Sequence, residues 1–218
     1  MKAIGEIFLI WRKGIGCRRK IIGKIKKNAT EGVKFSYIIK GVEEAQKEGF
    51  DTYINFSDIN KEYTENVLNI FGQRLMKSER SDIQKYYDFW AIDSKYKNNV
   101  YYLLAHTQAI TAIDNFEFLA DFNPVKGLRF VSEISGLSHI RLSQDSLQIG
   151  DMLEWELDRN NEYDKFAVKL KKGNLNLGYV KMIHSRVFYK KTNLDFKIKV
   201  KDISKNGIIN RVFIEISL

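Results

Sequence analysis

Asn206–Gly207 lies between two segments, DFKIKVKDISK and IINRVFIEISL, in which apolar and polar residues alternate. Alternation sends successive side chains to opposite faces of a strand, and Asn-Gly is the strongest short-range signal for a tight hairpin turn. The pattern recurs upstream. KFAVKLKKGNLNLGYVK reads as two strands across a Lys-Gly turn, and GDMLEWELD and Gly127 to Ile134 alternate as well. Many short strands at close intervals cannot form helical layers. They predict a curled antiparallel sheet from about residue 120 to the end, with one short helix at MIHSRVFYKK.

Before Pro124, the chain's only proline, the pattern is mixed. GEIFLIWRKGIGCRRKIIGKIKKN reads as two strands around a Gly- and Lys-rich hairpin, the first apolar on both faces. Val33 to Ile39 predicts a third strand. GVEEAQKEGF predicts a short helix ending at Gly49. Val67, Ile70, Phe71, Leu75, Ile83, Tyr86, Tyr87 and Trp90 fall at helical spacings, with Ser81 and Asp82 as a second helix start. VYYLLAHTQAI predicts another helix, and DNFEFLADFNP is extended. The expected class is α+β, with a mixed α/β module over residues 1–118 and a β-barrel over 119–218.

At 218 residues and 13% aromatic, the chain is long enough and apolar enough to bury a core. Cys17 is the only cysteine, which excludes a disulfide scaffold. No apolar run reaches the roughly 18 residues needed to cross a bilayer. The N-terminus lacks the long apolar stretch and cleavage site of a signal peptide. A cytoplasmic protein in a reducing compartment, without a membrane partner, is expected. Lys plus Arg number 36 against 27 for Asp plus Glu, and the pI is near 9.4. The excess is segregated. Residues 11–27 hold eight basic side chains and no acid, and residues 181–211 hold nine against Asp195 and Asp202. Segregated positive charge steers polyanions.

Motifs for catalysis are missing. His106, His139 and His184 have no metal-ligand spacing to one another or to Cys17. No GxxxxGK[ST], GxGxxG or GxSxG occurs. Glu154, Glu156 and Asp158 alternate on one strand face near Asp164, a set able to bind a divalent ion, and a metal-dependent nuclease is the one enzyme reading they permit. Strict alternation is also what an exposed strand face produces, and no positioned base accompanies the acids. The expectation is a protein that is not an enzyme and needs no cofactor.

VKGLRF (125–130), GDMLEWELDRNNEYDKFAVKL (150–170) and LGYVK (177–181) resemble the HIRAN domain family in order and spacing. Gly127, Arg129 and Phe130 match its first element, and Gly150, Asp151 and Leu153 its second. Asn161, Tyr163, Asp164, Ala167 and Val168 match the third, and Leu177, Gly178, Tyr179 and Val180 the fourth. The resemblance implies a small OB/SH3-like antiparallel β-barrel that grips the free 3′ end of single-stranded DNA. It implies a DNA-binding set of Arg129, Phe130, Asn161, Tyr163, Asp164, Tyr179 and Lys181, in a setting of repair, phage defence or a toxin–antitoxin locus. Glu162 stands where the family has proline, adding a negative charge beside the path of a phosphate, and Lys181 represents the basic residue that usually follows the Gly-Tyr turn, with Met182 at the next position.

The chemistry of these side chains suits that task. Tyr163 or Phe130 offers a stacking face, with a place in the barrel core the equal alternative for Phe130 because its strand alternates; Arg129 and Lys181 can neutralise phosphates, and Asp164 can accept from a terminal 3′-hydroxyl while repelling an internal phosphodiester. Lys197, Lys199 and Lys201 alternate, so they should share one strand face and track a backbone. Against this stands the reading of NEYD as a turn, with Asp164 bonding backbone amides. The rival function is a protein-interaction or regulatory module. GKI at 23–25, FSY at 35–37, NIFGQRL at 69–75 and NVYYLLAH resemble the N-terminal subdomain of HipA-type toxin kinases, which implies a docking module for a protein partner on residues 1–118.

Overall fold

Strand β1, Ile4–Trp11, is apolar on both sides, and from Ile7 onward every residue of it is buried. It is a central strand of a five-stranded sheet. In the computed structural model, which describes residues 2–14, 16–191 and 194–218, the chain divides into two units. One is Ile4–Asp121. The other runs from Phe122 to Leu218 and takes in Lys2 and Ala3, whose carbonyls accept from Asn123.

In the first unit β1 pairs antiparallel with β2 (Lys20–Asn28), β2 with β3 (Gly32–Tyr37), and β3 with a two-residue β4 (Glu62–Tyr63). Strand β5 (Phe116–Phe122) completes the order β4-β3-β2-β1-β5. Among the described residues this unit holds the short α-helices α1 (Ile39–Gln46), α2 (Val67–Gly72), α3 (Ile83–Phe89) and α4 (Val100–Thr107). Helix α4 starts where Asn99 Oδ1 accepts from the Tyr102 amide at 3.1 Å. The core is aromatic. Phe71 meets Phe35, Phe56, Tyr53 and Phe118 at centroid distances of 4.9–5.2 Å. The helical spacing read across residues 67–90 resolves into α2 and α3, because the chain between them turns to aim Arg74 inward. That guanidinium grips both carboxylate oxygens of Asp114, at 2.5 and 2.7 Å, and donates to the Ala109 carbonyl at 3.2 Å. A bidentate fork of this kind is how an arginine is held in a nearly dry site.

The second unit is a closed barrel in the order β10-β11-β6-β9-β8-β7. Its strands are β6 (Arg129–Ser135), β7 (Met152–Leu157), β8 (Val168–Lys172), β9 (Leu175–Val180), β10 (Lys197–Asn206) and β11 (Ile208–Ser217). Every described pairing is antiparallel. Alternate residues such as Ile198 and Val200, Ile214 and Ile216, and Val168 and Leu170 fill the interior. The Asn-Gly hairpin forms as the sequence predicts, with Asn206 opposite Ile208 and Gly207 at φ +70°. A 3₁₀ turn at His184–Tyr189 takes the place of the short helix. Among the described residues no helix is long and apolar enough to cross a membrane.

Two seams close the barrel with two residue pairs each: β7–β10 at Met152–Lys199 and Leu153–Ile198, and the β6–β9 seam, which pairs Ile134 with Val180 and Ser135 with Tyr179. Gly178 makes the second possible. Its φ is +100°, and a Cβ there would lie 2.3 Å from the Ser135 carbonyl oxygen. Gly178→Ala should therefore destabilise the barrel by about 2–6 kcal/mol, from backbone strain and steric overlap together. Gly207→Ala, where a Cβ meets nothing within 4 Å, should cost only the strain. Denaturant midpoints of the two variants check the difference.

His106 in α4 is 3% exposed and stacks on Tyr102 at 4.0 Å. Burial pushes its pKa down to about 3. Between pH 6.5 and about 3 the unfolded chain therefore binds a proton that the folded state refuses. Stability should rise with pH across this window, by up to about 1.4 kcal/mol per pH unit from this one group. His106→Phe should flatten that acid slope whatever its offset at neutral pH, as urea unfolding at about pH 4, 5, 6 and 7 will read.

Candidate nucleic-acid interface

The loop from Leu157 to Ala167 joins β7 to β8, and its own polar side chains fold it. Asn161 Oδ1 accepts from the amides of Tyr163 and Asp164, both at 3.0 Å. Asp164 Oδ1 accepts from the Phe166 amide at 2.9 Å, and the Ala167 amide donates to the Asp164 carbonyl at 2.9 Å. These are Asx-type turns, in which short polar side chains stand in for backbone acceptors. The turn reading of NEYD is therefore correct for one carboxylate oxygen of Asp164. Its Oδ2 accepts no hydrogen bond among the described residues. Tyr163, with its amide held, projects its ring outward at 80% exposure.

The barrel seam docks beneath this loop. Tyr179 donates from its hydroxyl to Asp158 Oδ2 at 3.1 Å, and Asn161 Nδ2 donates to the same oxygen at 3.2 Å. The Asn161 bond is the largest influence holding Asp158 below the usual carboxylate range, and the Tyr179 bond adds to it. Tyr179 shifts the opposite way, raised first by burial and then by the Asp158 carboxylate.

A second group, not singled out in the sequence, adjoins the loop. Tyr189 donates to the Ala167 carbonyl at 2.7 Å, which ties it to the turn carrying Asp164. Phe166 meets Tyr189 edge-on at 5.5 Å. Arg159 lies over the Tyr189 ring at 5.9 Å, and Arg186 and Lys165 lie over Phe166 at 5.4 and 5.1 Å. Burial raises the Tyr189 hydroxyl pKa, Arg159 opposes the shift, and Asp164 and Asp158 add to it. Two rings, three cations and two carboxylates thus share one face. The signal available in the sequence was Phe166 beside NEYD and Arg159 ahead of it. Arg186 and Tyr189 arrive from a distant turn.

The remaining expected site residues lie elsewhere. Phe130 is not a stacking surface: it is fully buried, parallel to Phe122 at 4.2 Å and edge-on to His184 at 5.2 Å. Lys181 is not a phosphate ligand. Its side chain is 0% exposed, and Nζ lies 3.0 Å from Glu133 Oε2, whose other oxygen takes Arg211 at 2.9 Å. A buried ammonium persists only with such a counter-charge. Arg129 and Lys201 converge on Glu215 Oε2, at 2.8 and 2.9 Å. Burial would raise that carboxyl, but the two hydrogen bonds prevail and lower it.

Lys197 and Lys199 are exposed on β10, but a bulge between Val200 and Asp202 interrupts the alternation at Lys201. Lys199 pairs with Met152, so the length of β7 separates it from Leu157, roughly 17 Å at about 3.3 Å per residue. Likewise Arg129 and Ser135, the neighbour of Tyr179, sit at the two ends of β6, roughly 20 Å apart. The structure brings together Asn161, Tyr163, Asp164 and Tyr179 and leaves the rest apart.

Among the described residues no group of three His, Cys, Asp or Glu side chains is placed to hold a metal ion. Glu156 instead meets Lys171 at 2.8 Å, and Glu154 accepts from the Gly173 amide at 3.3 Å.

No protein-family model matches this sequence. No curated protein matches it either. Among solved structures, the crystal structure of the HIRAN domain of human HLTF is similar over 42% of this chain and 75% of its own, with 18% sequence identity and a TM-score of 0.32. None of these comparisons supports the resemblance of residues 1–118 to HipA-type kinases.

Lys181→Met should separate structure from binding. It removes one of two cations from a half-buried carboxylate, so it should destabilise the barrel by about 3 kcal/mol, the low end for a broken buried pair because Arg211 remains. The affinity of the folded variant for oligonucleotides should be unchanged. Chemical denaturation paired with an anisotropy titration measures both, and a loss of binding without a loss of stability would return Lys181 to the site.

Proposed function

We propose that the barrel binds single-stranded DNA by its 3′ end, without catalysing a reaction on it, through the face that carries Tyr163 and Asp164. The observation that carries this reading is the pairing of an 80% exposed tyrosine ring with a carboxylate whose second oxygen points to no partner among the described residues. The ring gives any base a stacking face. The oxygen can accept from a terminal hydroxyl and disfavours a phosphate in the same place. The resemblance of the same NEYD residues to the HIRAN family supports the reading independently of the geometry. The basic chain, at +9, favours a polyanionic ligand in general. Glu162, exposed next to Tyr163, places a negative charge where a phosphate would pass and should weaken binding.

Labelled oligonucleotides ending in 3′-OH, in 3′-phosphate or blunt test the proposal. Tyr163→Ala should weaken every single-stranded ligand by about 1–3 kcal/mol, since stacking ignores the identity of the end. Asp164→Asn keeps a carbonyl oxygen for the Phe166 amide, so the turn should survive. It removes the charge, so preference for 3′-OH over 3′-phosphate should fall while affinity for internal single strands holds or rises. Absence of any DNA binding at low salt would leave the barrel as a protein-docking module instead.

A further inference from the structure

Residues 11–27, with eight basic side chains and no acid, run from the end of β1 through β2 in the first unit, and the end-binding reading of the barrel draws nothing from them. The β1–β2 ladder ends where Trp11 pairs with Lys20. Lys13 and Arg18 stand two positions beyond that pair, one on each arm, and both are exposed, while Arg12 is half-buried. None of these three side chains forms an ion pair among the described residues. We infer that the tip of this hairpin is a second nucleic-acid surface, which holds the phosphates of duplex DNA through Arg12, Lys13 and Arg18 without reading sequence.

The acids around the tip have cations of their own. Asp114 gives both carboxylate oxygens to Arg74, at 2.5 and 2.7 Å, Glu117 takes Arg19, and Glu48 takes Lys20 at 2.9 Å. Asp51 acts on Tyr37, which pairs with Gly23, three positions along β2 from Lys20 and away from the tip. The outer cations are therefore left to act on a ligand. The backbone that carries them is held in place. The Arg12 amide donates to the Asn115 carbonyl at 3.3 Å, Asn115 Nδ2 donates to the Lys13 carbonyl at 3.2 Å, and the Cys17 amide donates to the Gly14 carbonyl at 3.1 Å. Little beyond side-chain freedom is then lost on binding.

The class of ligand follows from the neighbouring groups. Among the described residues of the hairpin no aromatic ring is exposed, and Trp11 packs on Phe50 with ring centroids 5.5 Å apart. An unpaired base finds no stacking face there, whereas a duplex offers about one phosphate charge per 1.7 Å of its axis to any set of cations. Acceptors beside the tip, the Asp114 and Glu117 carboxylates and the Lys13 and Asn115 carbonyls, are engaged, so a 2′-hydroxyl has nothing to donate to and DNA is favoured over RNA. No large apolar side chain of the described hairpin is exposed, so a bilayer would gain charge contact without insertion.

This surface does not depend on the end-binding reading, and a ligand without ends separates the two. The test titrates the full chain against a labelled closed-circular duplex DNA, which has neither a 3′ end nor an unpaired base, across salt in a mobility-shift assay. Each phosphate left without its cation should flatten the log–log salt slope by about 0.9, which at about 0.1 M salt is about an eightfold weaker affinity. Lys13→Gln combined with Arg18→Gln should thus lose about 1.8 in slope and about 60-fold in affinity. Both residues are exposed, so the urea midpoint should not move. Tyr163→Ala should leave binding to the circle unchanged. If the double variant keeps the slope and affinity of the unmodified protein, or if the unmodified protein binds 3′-ended strands but not the circle at low salt, the hairpin surface is wrong and the end site stands. If the circle is bound through the hairpin but 3′-OH and 3′-phosphate strands are bound alike, the hairpin surface stands and the end reading fails. Tighter binding of duplex RNA than of duplex DNA of equal length would overturn the choice of DNA. Hairpin-dependent binding to phosphatidylserine vesicles, without binding to the circle, would replace this surface with a membrane-facing one.

Discussion

The barrel is held closed across two very short ladders, β7–β10 and β6–β9, each of two residue pairs. Strands β6 and β9 share two residue pairs, extended by one more amide, Lys181 N to the Glu133 carbonyl at 3.2 Å. So short a ladder needs the two backbones close together, and the missing side chain of Gly178 permits it. The Lys181–Glu133 ion pair then bolts the seam from the side chains. Everything the barrel presents to solvent near the loop follows from this meeting of strands. Ser135 fixes Tyr179, Tyr179 holds Asp158, and Asp158 with Asn161 shapes the loop that displays Tyr163.

That chain of constraint explains how the unit divides its charge. A closed six-stranded barrel has little interior, and it is filled by Val, Ile, Leu and Phe. Charged residues near the seam and along β10 and β11 must therefore be paired, Lys181 in the interior and Lys201 and Glu215 partly exposed. Glu133 and Glu215 each collect two cations. These pairs stabilise strand pairing but remove positive charge from any ligand. The net charge of the chain consequently overstates the positive field at the barrel surface.

Local order was legible in the sequence, and long-range convergence was not. Asn206–Gly207, the alternation in β10 and β11, and the NEYD turn involve residues within a few positions of one another, where steric and hydrogen-bonding preferences act directly. Lys181 shows the opposite case. Read locally, a lysine after a Gly-Tyr turn is a solvent-facing cation. Its burial depends on Glu133, which arrives only when the barrel closes. Phe130 was ambiguous for the same reason, since alternation says that a residue faces inward or outward but not which. Lys201 departs from the expected face because of a bulge, which inserts a residue into the period that the alternation argument assumes. In the first unit, the turn after α2 was hidden because Arg74 has its reason in Asp114, far along the chain.

The same distinction bears on how a recognition site can be built on this fold. Asn161 and Asp164 shape the loop by hydrogen bonds to amides two or three positions away, so its conformation is encoded within a few residues. Its placement is encoded by the seam, through Tyr179. A loop that carries its own shape tolerates substitution at exposed positions such as Glu162 without losing the display of Tyr163. A change at Gly178, where a Cβ would meet the Ser135 carbonyl, faces no ligand, yet it moves the anchor under Asp158 and so displaces the ring and the carboxylate together. The residues that shape the loop are thus local, whereas those that place it on the barrel are distant and buried. Tyr179 belongs to both sets, because its backbone closes the barrel and its hydroxyl holds the loop.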